Sequence, residues 1–335
     1  MRHLLFILIG CFVISCNSKE QTQSKETEIE SSAEIKSLNA LIEKNPKKAS
    51  LYVDRANQFV AEKNFAAAQD DMLKALELDK DNETYKYTLA EIAFGNNDVS
   101  LAQATLKELI AKNSKNKEAY LFLAKIQLVL RDYEPAKKTI SNLTENLGES
   151  ANAFFLAGMV AKETLDTNSA ITLFQKAVAL DNDFYDAYAQ LGLIFQLKQD
   201  RRGLDYLNNA IRIDEFSTES LYARALLYQS FKEYDNASKD YRKILEINPE
   251  YAAAYYNMGI INFKTERFET ALELFNQAVI TDERYANAYY MRGLTQEAMQ
   301  NLSAAAENYR FCLKLDPMHK GAKEGLDYLS RTNNK

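Results

Sequence analysis

The sequence predicts an all-α chain, a solenoid of stacked antiparallel helix pairs, on three observations. The stretch Ala252–Tyr285 (AAAYYNMGIINFKTERFETALELFNQAVITDERY) begins again at Ala286 (ANAYYMRGLTQEAMQNLSAAAENYRFCLKLDPMH), an offset of 34 residues. Self-similarity at that period marks a repeat architecture. Numbered from Ala252, positions 4, 8 and 11 of each unit share one helical face, and positions 20, 24 and 27 a second, so each unit is two amphipathic helices. Two short helices cannot bury both stripes alone, but stacked neighbours can. The third observation is a set of small residues. Position 8 reads Ala56, Ala90, Ala124, Gly158, Gly192, Ala225, Gly259 and Gly293, and position 20 reads Ala68, Ala102, Ala136, Ala170, Gly203, Ala237, Ala271 and Ala305. A helix crossing that excludes every large side chain explains both columns.

In chain order, Met1–Cys16 (MRHLLFILIGCFVISC) comes first. Arg2 leads an apolar run from Leu4 to Ile14. That run is too short to span a bilayer as a mature helix, and it reads as a secretory signal peptide over residues 1–15. Its ending, Val13-Ile14-Ser15-Cys16, resembles a bacterial lipoprotein processing box. Leu8-Ile9-Gly10-Cys11 resembles the box too, but would leave only a very short apolar core, so Cys16 is the expected lipidation site. The resemblance implies an acylated Cys16 and a lipid-anchored place in the bacterial cell envelope. The outer membrane, on its periplasmic or surface side, is the first expectation. The sequence leaves open which membrane holds the lipid and which way the protein faces. Stable anchoring takes more than one acyl chain, a condition that a triacylated cysteine meets.

Residues 16–33 (CNSKEQTQSKETEIESSA) are polar and nearly free of hydrophobes. They read as a tether too poor in apolar surface to fold, with a reach of about 20–25 Å. Residues 34–48 (EIKSLNALIEKNPKK) carry Ile35, Leu38, Leu41 and Ile42 and then Asn45-Pro46, the pattern of a second helix without its first. They are expected to cap the apolar edge of the first unit.

Eight units follow over residues 49–319, starting at Ala49, Glu83, Lys117, Ala151, Tyr185, Thr218, Ala252 and Ala286. Position 24 supplies the bulk opposite the small residues: Met72, Leu106, Ile140, Phe174, Leu207, Tyr241, Phe275 and Tyr309. Asn248-Pro249 and Asp316-Pro317 end second helices, because a residue before proline is pushed out of helical geometry. Period 34, small residues at 8 and 20, bulk at 24 and proline at 32 together resemble the tetratricopeptide repeat family. The resemblance covers most of the chain, is closest in units six to eight, and implies a right-handed superhelical solenoid. Unit five is one residue short near Gln199–Arg202, where a local change of superhelix pitch is expected. Residues 320–335, with Ala322, Leu326 and Leu329 on one face, are expected to form a C-terminal cap helix and tail.

A contact can also be read by comparing units. Position 7 is Arg55, Arg224 and Arg292, and position 23 of those units is Asp71, Asp240 and Asn308. Where position 7 is apolar, position 23 is not acidic. The two side chains are therefore expected to meet between the helices of one unit.

The chemistry of enzymes is poorly represented. His319 is the one histidine beyond the leader, no glycine-rich phosphate loop is present, and Cys312 stands at an apolar repeat position. No enzyme activity, cofactor or metal is expected. A net charge of −6 and a pI near 5.3 argue against nucleic acid as a partner, which requires a basic face.

The resemblance instead implies a concave groove lined by first helices, taking a protein or peptide partner. Position 5 there includes Phe155, Tyr222, Tyr256 and Tyr290, and position 12 includes Phe263. The three tyrosines, 34 residues apart, are expected to form a ladder. A tyrosine there can equally pack between neighbouring first helices. Peptide-binding members often carry asparagine at position 6; only Asn257 fits, and the basic carboxylate clamp of chaperone-binding members is missing. The expected function is thus a non-catalytic protein- or peptide-binding scaffold tethered by lipid. The alternative is a carbohydrate or small-ligand binding lipoprotein serving uptake or wall remodelling.

Overall fold

The computed structural model describes residues 32–332. The leader, Cys16 and most of the tether lie outside the described residues. Within them the chain forms eighteen α-helices and no strand, the all-α class expected. The described residues divide into two compact units, with the boundary between Tyr85 and Lys86.

The described part of the first unit holds α1 (Ala33–Lys44), α2 (Ala49–Ala61) and α3 (Phe65–Leu78). α1 starts one residue ahead of the expected half-repeat, because the Ser32 hydroxyl caps it by accepting from the Ile35 N–H. Ile42 packs with Leu51, Tyr52 and Ala75, which ties α1 to the first helix pair.

The second unit repeats one motif. Its first helices are α4 (Glu83–Gly95, which starts just ahead of the boundary), α6 (Lys117–Val129), α8 (Ala151–Glu163), α10 (Tyr185–Leu197), α12 (Thr218–Ser230), α14 (Ala252–Lys264) and α16 (Ala286–Ala298). Its second helices are α5 (Val99–Lys112), α7 (Tyr133–Leu147), α9 (Thr167–Leu180), α11 (Gly203–Ile213), α13 (Tyr234–Ile247), α15 (Phe268–Thr281) and α17 (Leu302–Leu315). α18 (Lys320–Thr332) follows the last pair.

Packing obeys the small-against-large pattern. Ala225 and Ala271 are fully buried, as are Tyr241 and Phe275. A β-carbon added at Gly259 would lie 2.6 Å from the Phe275 ring, and one at Gly293 the same distance from Tyr309. The glycines at these crossings leave room for the ring of position 24.

The turn inside each pair was not foreseen. Its position 15 takes a left-handed backbone in all eight units, at Lys63, Asn97, Arg131, Leu165, Gln199, Lys232, Glu266 and Gln300. The next N–H then reaches back to close the helix end, as Asn64 N–H does to the Phe59 carbonyl at 2.8 Å and Asp98 N–H to Ala93 at 2.8 Å. This is the six-to-one closure of a helix C-terminus that usually employs glycine.

The short fifth unit shortens its second helix, since α11 has 11 residues where α9 and α13 have 14. At this turn two cations lie on neighbouring rings: Arg202 over Phe195 at 4.6 Å and Arg201 over Phe231 at 5.2 Å.

The expected arginine contact is present. Arg224 donates from Nε and Nη2 to both Asp240 oxygens at 2.8 and 2.6 Å, and Arg55 does the same to Asp71 at 2.7 and 2.6 Å. Arg292 donates to the Asn308 carbonyl oxygen at 2.5 Å. Each arginine also uses Nη1 to reach an asparagine sixteen residues earlier: Asn39, Asn208 or Asn276. The guanidinium therefore ties its own helix pair to the preceding second helix.

Candidate functional site

The position 5 aromatics sit on first helices and are partly exposed. Their ring contacts lie mainly inside their own repeat. Tyr222 touches Tyr241 at 5.9 Å and Tyr251 at 5.5 Å between centroids. Tyr256 touches Phe275 at 5.9 Å and Tyr285 at 4.9 Å. Tyr290 touches Tyr309 at 5.9 Å and His319 at 4.6 Å, and Phe155 touches Phe174 at 5.7 Å and Phe184 at 5.1 Å. Four repeats thus build the same triad from positions 5, 24 and 34. Tilted rings at these separations are favourable aromatic pairs.

The position 34 member was missed in the sequence reading. Phe184, Tyr251, Tyr285 and His319 close one repeat just before the next first helix. Their recurrence was visible, but nothing in the sequence said that the chain end of a repeat folds back onto position 5.

Phe263 makes an edge contact with Phe268 at 5.6 Å. It shares a cluster with Tyr256, Ile260, Tyr290 and Leu294 around buried Phe275 and Met291. Tyr256, Phe263 and Tyr290 are thereby brought together, whereas Phe155 belongs to a separate triad in the fourth repeat. Asn257 is only 8% exposed. Its Nδ2 donates to the Tyr222 hydroxyl at 2.9 Å and to the Ala253 carbonyl at 2.8 Å. Its amide N–H groups join two first helices.

Burial raises the hydroxyls of Tyr222, Tyr256 and Tyr290 above the ordinary phenol value. Tyr256 also feels both Tyr222 and Tyr290. These tyrosines are neutral near pH 7, so the face offers ring area and uncharged hydroxyls. Beside them runs a row of partly exposed aliphatics at position 9: Leu193, Leu226, Ile260 and Leu294. Such a face can hold apolar and aromatic groups. Among the described residues no cluster of His, Cys, Asp or Glu could hold a metal ion, and no helix is long and apolar enough to cross a membrane. Cys312 is buried, and burial pushes its thiol up to about 11.

Family comparisons agree with the repeat pattern. A TPR repeat model matches residues 232–266, and tetratricopeptide repeat models match 93–154, 252–282 and 286–319. The human protein O-mannosyl-transferase TMTC3 is 26% identical over 221 residues, 64% of this chain and 24% of that protein. Human serine/threonine-protein phosphatase 5 is 33% identical over 105 residues, 31% of this chain and 21% of that protein. The chain therefore spans a quarter or less of these relatives' length. Among solved structures, the C-terminal part of a TPR repeat-containing protein from Cytophaga hutchinsonii superposes with a TM-score of 0.61 at 22% identity, over 72% of this chain and 99% of that one. PilF of Pseudomonas aeruginosa superposes with a TM-score of 0.51 at 17% identity, over 62% of this chain and 95% of that one. At these identities the likeness is one of fold.

Proposed function

Because the chain is a member of the tetratricopeptide-repeat family, we propose that it is a non-catalytic scaffold that docks a protein or peptide on the aromatic face of its first helices. Tetratricopeptide repeats in general serve as protein-interaction scaffolds. The observation that carries the reading is the recurring, half-exposed ring at position 5 beside the aliphatic row of Leu226, Ile260 and Leu294. Large rigid rings with few rotors to freeze suit binding hot spots. We place the scaffold in the bacterial cell envelope, held by acylated Cys16.

The test is a crosslinked pull-down from native envelopes, read by mass spectrometry. Each position 5 ring also packs within its repeat, so two variants are needed. Tyr222→Ala/Tyr256→Ala/Tyr290→Ala removes ring area, and Leu226→Gln/Ile260→Gln/Leu294→Gln alters the same face while leaving the rings. Capture of one or two proteins by the wild type, lost in both variants while helix content holds, supports the docking face. Equal capture by the glutamine variant refutes it. A sugar or other small ligand on this face would instead raise the melting temperature of the purified protein. The lipid anchor is tested by Cys16→Ser, which should move the protein from the membrane to the soluble fraction.

A further inference from the structure

His319 stands at position 34 of the last repeat, where repeats four, six and seven carry Phe184, Tyr251 and Tyr285. Like them it lies against the position 5 ring, with centroids 4.6 Å apart. Unlike them it makes two polar contacts. The Ala322 N–H donates to Nδ1 at 3.1 Å, and Nε2 lies 3.1 Å from the Asn287 carbonyl oxygen. A backbone amide can only donate, so Nδ1 carries the lone pair. The proton then sits on Nε2 and is donated to Asn287. The neutral imidazole bridges α16 to the first turn of α18 and serves as the N-cap of α18.

α18 covers the end of the last repeat. Ala322 and Leu329 are buried beside Tyr309 and Cys312. Gly321 and Gly325 let the helix approach closely: an added β-carbon would lie 2.6 Å from the Tyr290 hydroxyl and 2.5 Å from the Tyr309 ring. The helix therefore sits on Tyr290, one of the three groove tyrosines.

We propose that His319 is a proton-operated latch for α18. Protonated Nδ1 would point a donor at the Ala322 N–H, and the cap bond is lost. The cation would also sit at a helix N-terminus, where the backbone dipole disfavours positive charge. The surrounding groups are Asn287 and Tyr290 on α16, Asp316 in the turn after α17, and Lys320, Lys323 and Glu324 on α18. One oxygen of Asp316 accepts from the Met318 N–H, and Lys320 pairs with Glu324 at 3.7 Å. The neutral ring holds α18 down; the charged ring lets it swing away and bares Tyr290 and Tyr309. The link from this motion to docking rests on the groove reading above, but the latch does not.

The experiment is amide hydrogen exchange of the full chain across residues 320–332, corrected for intrinsic rates, at about pH 8 and about pH 5.5. The comparison is wild type, His319→Asn and His319→Ala. Asparagine caps helices at any pH. In the wild type, protection of α18 should fall at least about tenfold on acidification, while α14 stays unchanged. His319→Asn should keep its protection at both values, and His319→Ala should lack it at both. The latch is overturned if His319→Asn loses protection as the wild type does, or if His319→Ala is as protected as the wild type at the higher pH. Partner capture at both pH values tests the groove separately. If α18 opens and capture is unchanged, the latch stands and its connection to docking falls.

Discussion

Removing the Arg224 guanidinium while leaving Asp240 in place tests how the repeats are held together. The Arg224 and Asp240 side chains are only 19% and 7% exposed, and their bond is bidentate. Burial is the largest single influence and works against the Arg224 charge, but the hydrogen bonds to Asp240 and the attraction of its charge together outweigh it and raise the arginine pKa. Arg224→Leu leaves a buried carboxylate without its cation, which costs about 3–5 kcal/mol. Asn208, the third partner, lies on the exposed side and can turn to water at little cost. Adding Asp240→Leu removes the stranded charge and puts apolar residues at positions 7 and 23, as the next repeat has with Met258 and Leu274. The double variant should regain about 2–3 kcal/mol, because a matched apolar replacement of a buried ion pair is close to neutral. Urea unfolding followed by far-ultraviolet circular dichroism measures each corner of the cycle. Simple addition of the two single losses, or an Arg224→Leu variant within about 0.5 kcal/mol of wild type, refutes the reasoning.

Three further outcomes are expected. Leu165 is 88% exposed and has φ +63°. Its side chain gains nothing by burial and its backbone is strained, so Leu165→Asn should stabilise by about 1 kcal/mol, read as a higher urea midpoint. Arg292 faces neutral Asn308 instead of an aspartate, and burial lowers its pKa where that of Arg224 is raised. Asn308→Asp should therefore complete the ion pair and add about 1 kcal/mol, measured the same way, and should give nothing in an Arg292→Leu background. Alkali should unfold the protein for a definite reason. Burial raises the hydroxyls of Tyr241 and Tyr309 and the thiol of Cys312. Groups raised on folding contribute full stability below their unfolded values, about 8.5 for a thiol and about 10 for a phenol, and that contribution is lost as pH climbs toward the folded values. The urea midpoint should hold from about pH 7 to pH 8 and then fall steadily; a midpoint that stays unchanged up to about pH 11 would contradict this.

The period and the chemistry of the repeat determine most of the architecture by themselves. The 34-residue spacing, the small residues at positions 8 and 20 and the bulk at position 24 are local constraints repeated eight times, so each unit confirms the others. The Arg–Asp contact was legible for the same reason, because units with and without the arginine differ together at position 23. The third partner was equally present in the sequence. Asn39, Asn208 and Asn276 each stand sixteen residues before an arginine, and they were missed because that contact crosses from one repeat to the next.

The tertiary structure alone decided the rest. The left-handed turn residue carries no sequence mark here, since Lys, Asn, Arg, Leu, Gln and Glu all occupy it; the close packing of the paired helices imposes that backbone whatever the side chain. The fate of the tyrosines was also undetermined. Spacing placed Tyr222, Tyr256 and Tyr290 in register, but only folding brings Tyr251, Tyr285 and His319 back against them. A periodic pattern specifies which residues recur on one face. Which of them spend that face on their own repeat, and which keep an edge for a partner, depends on contacts between residues about thirty positions apart.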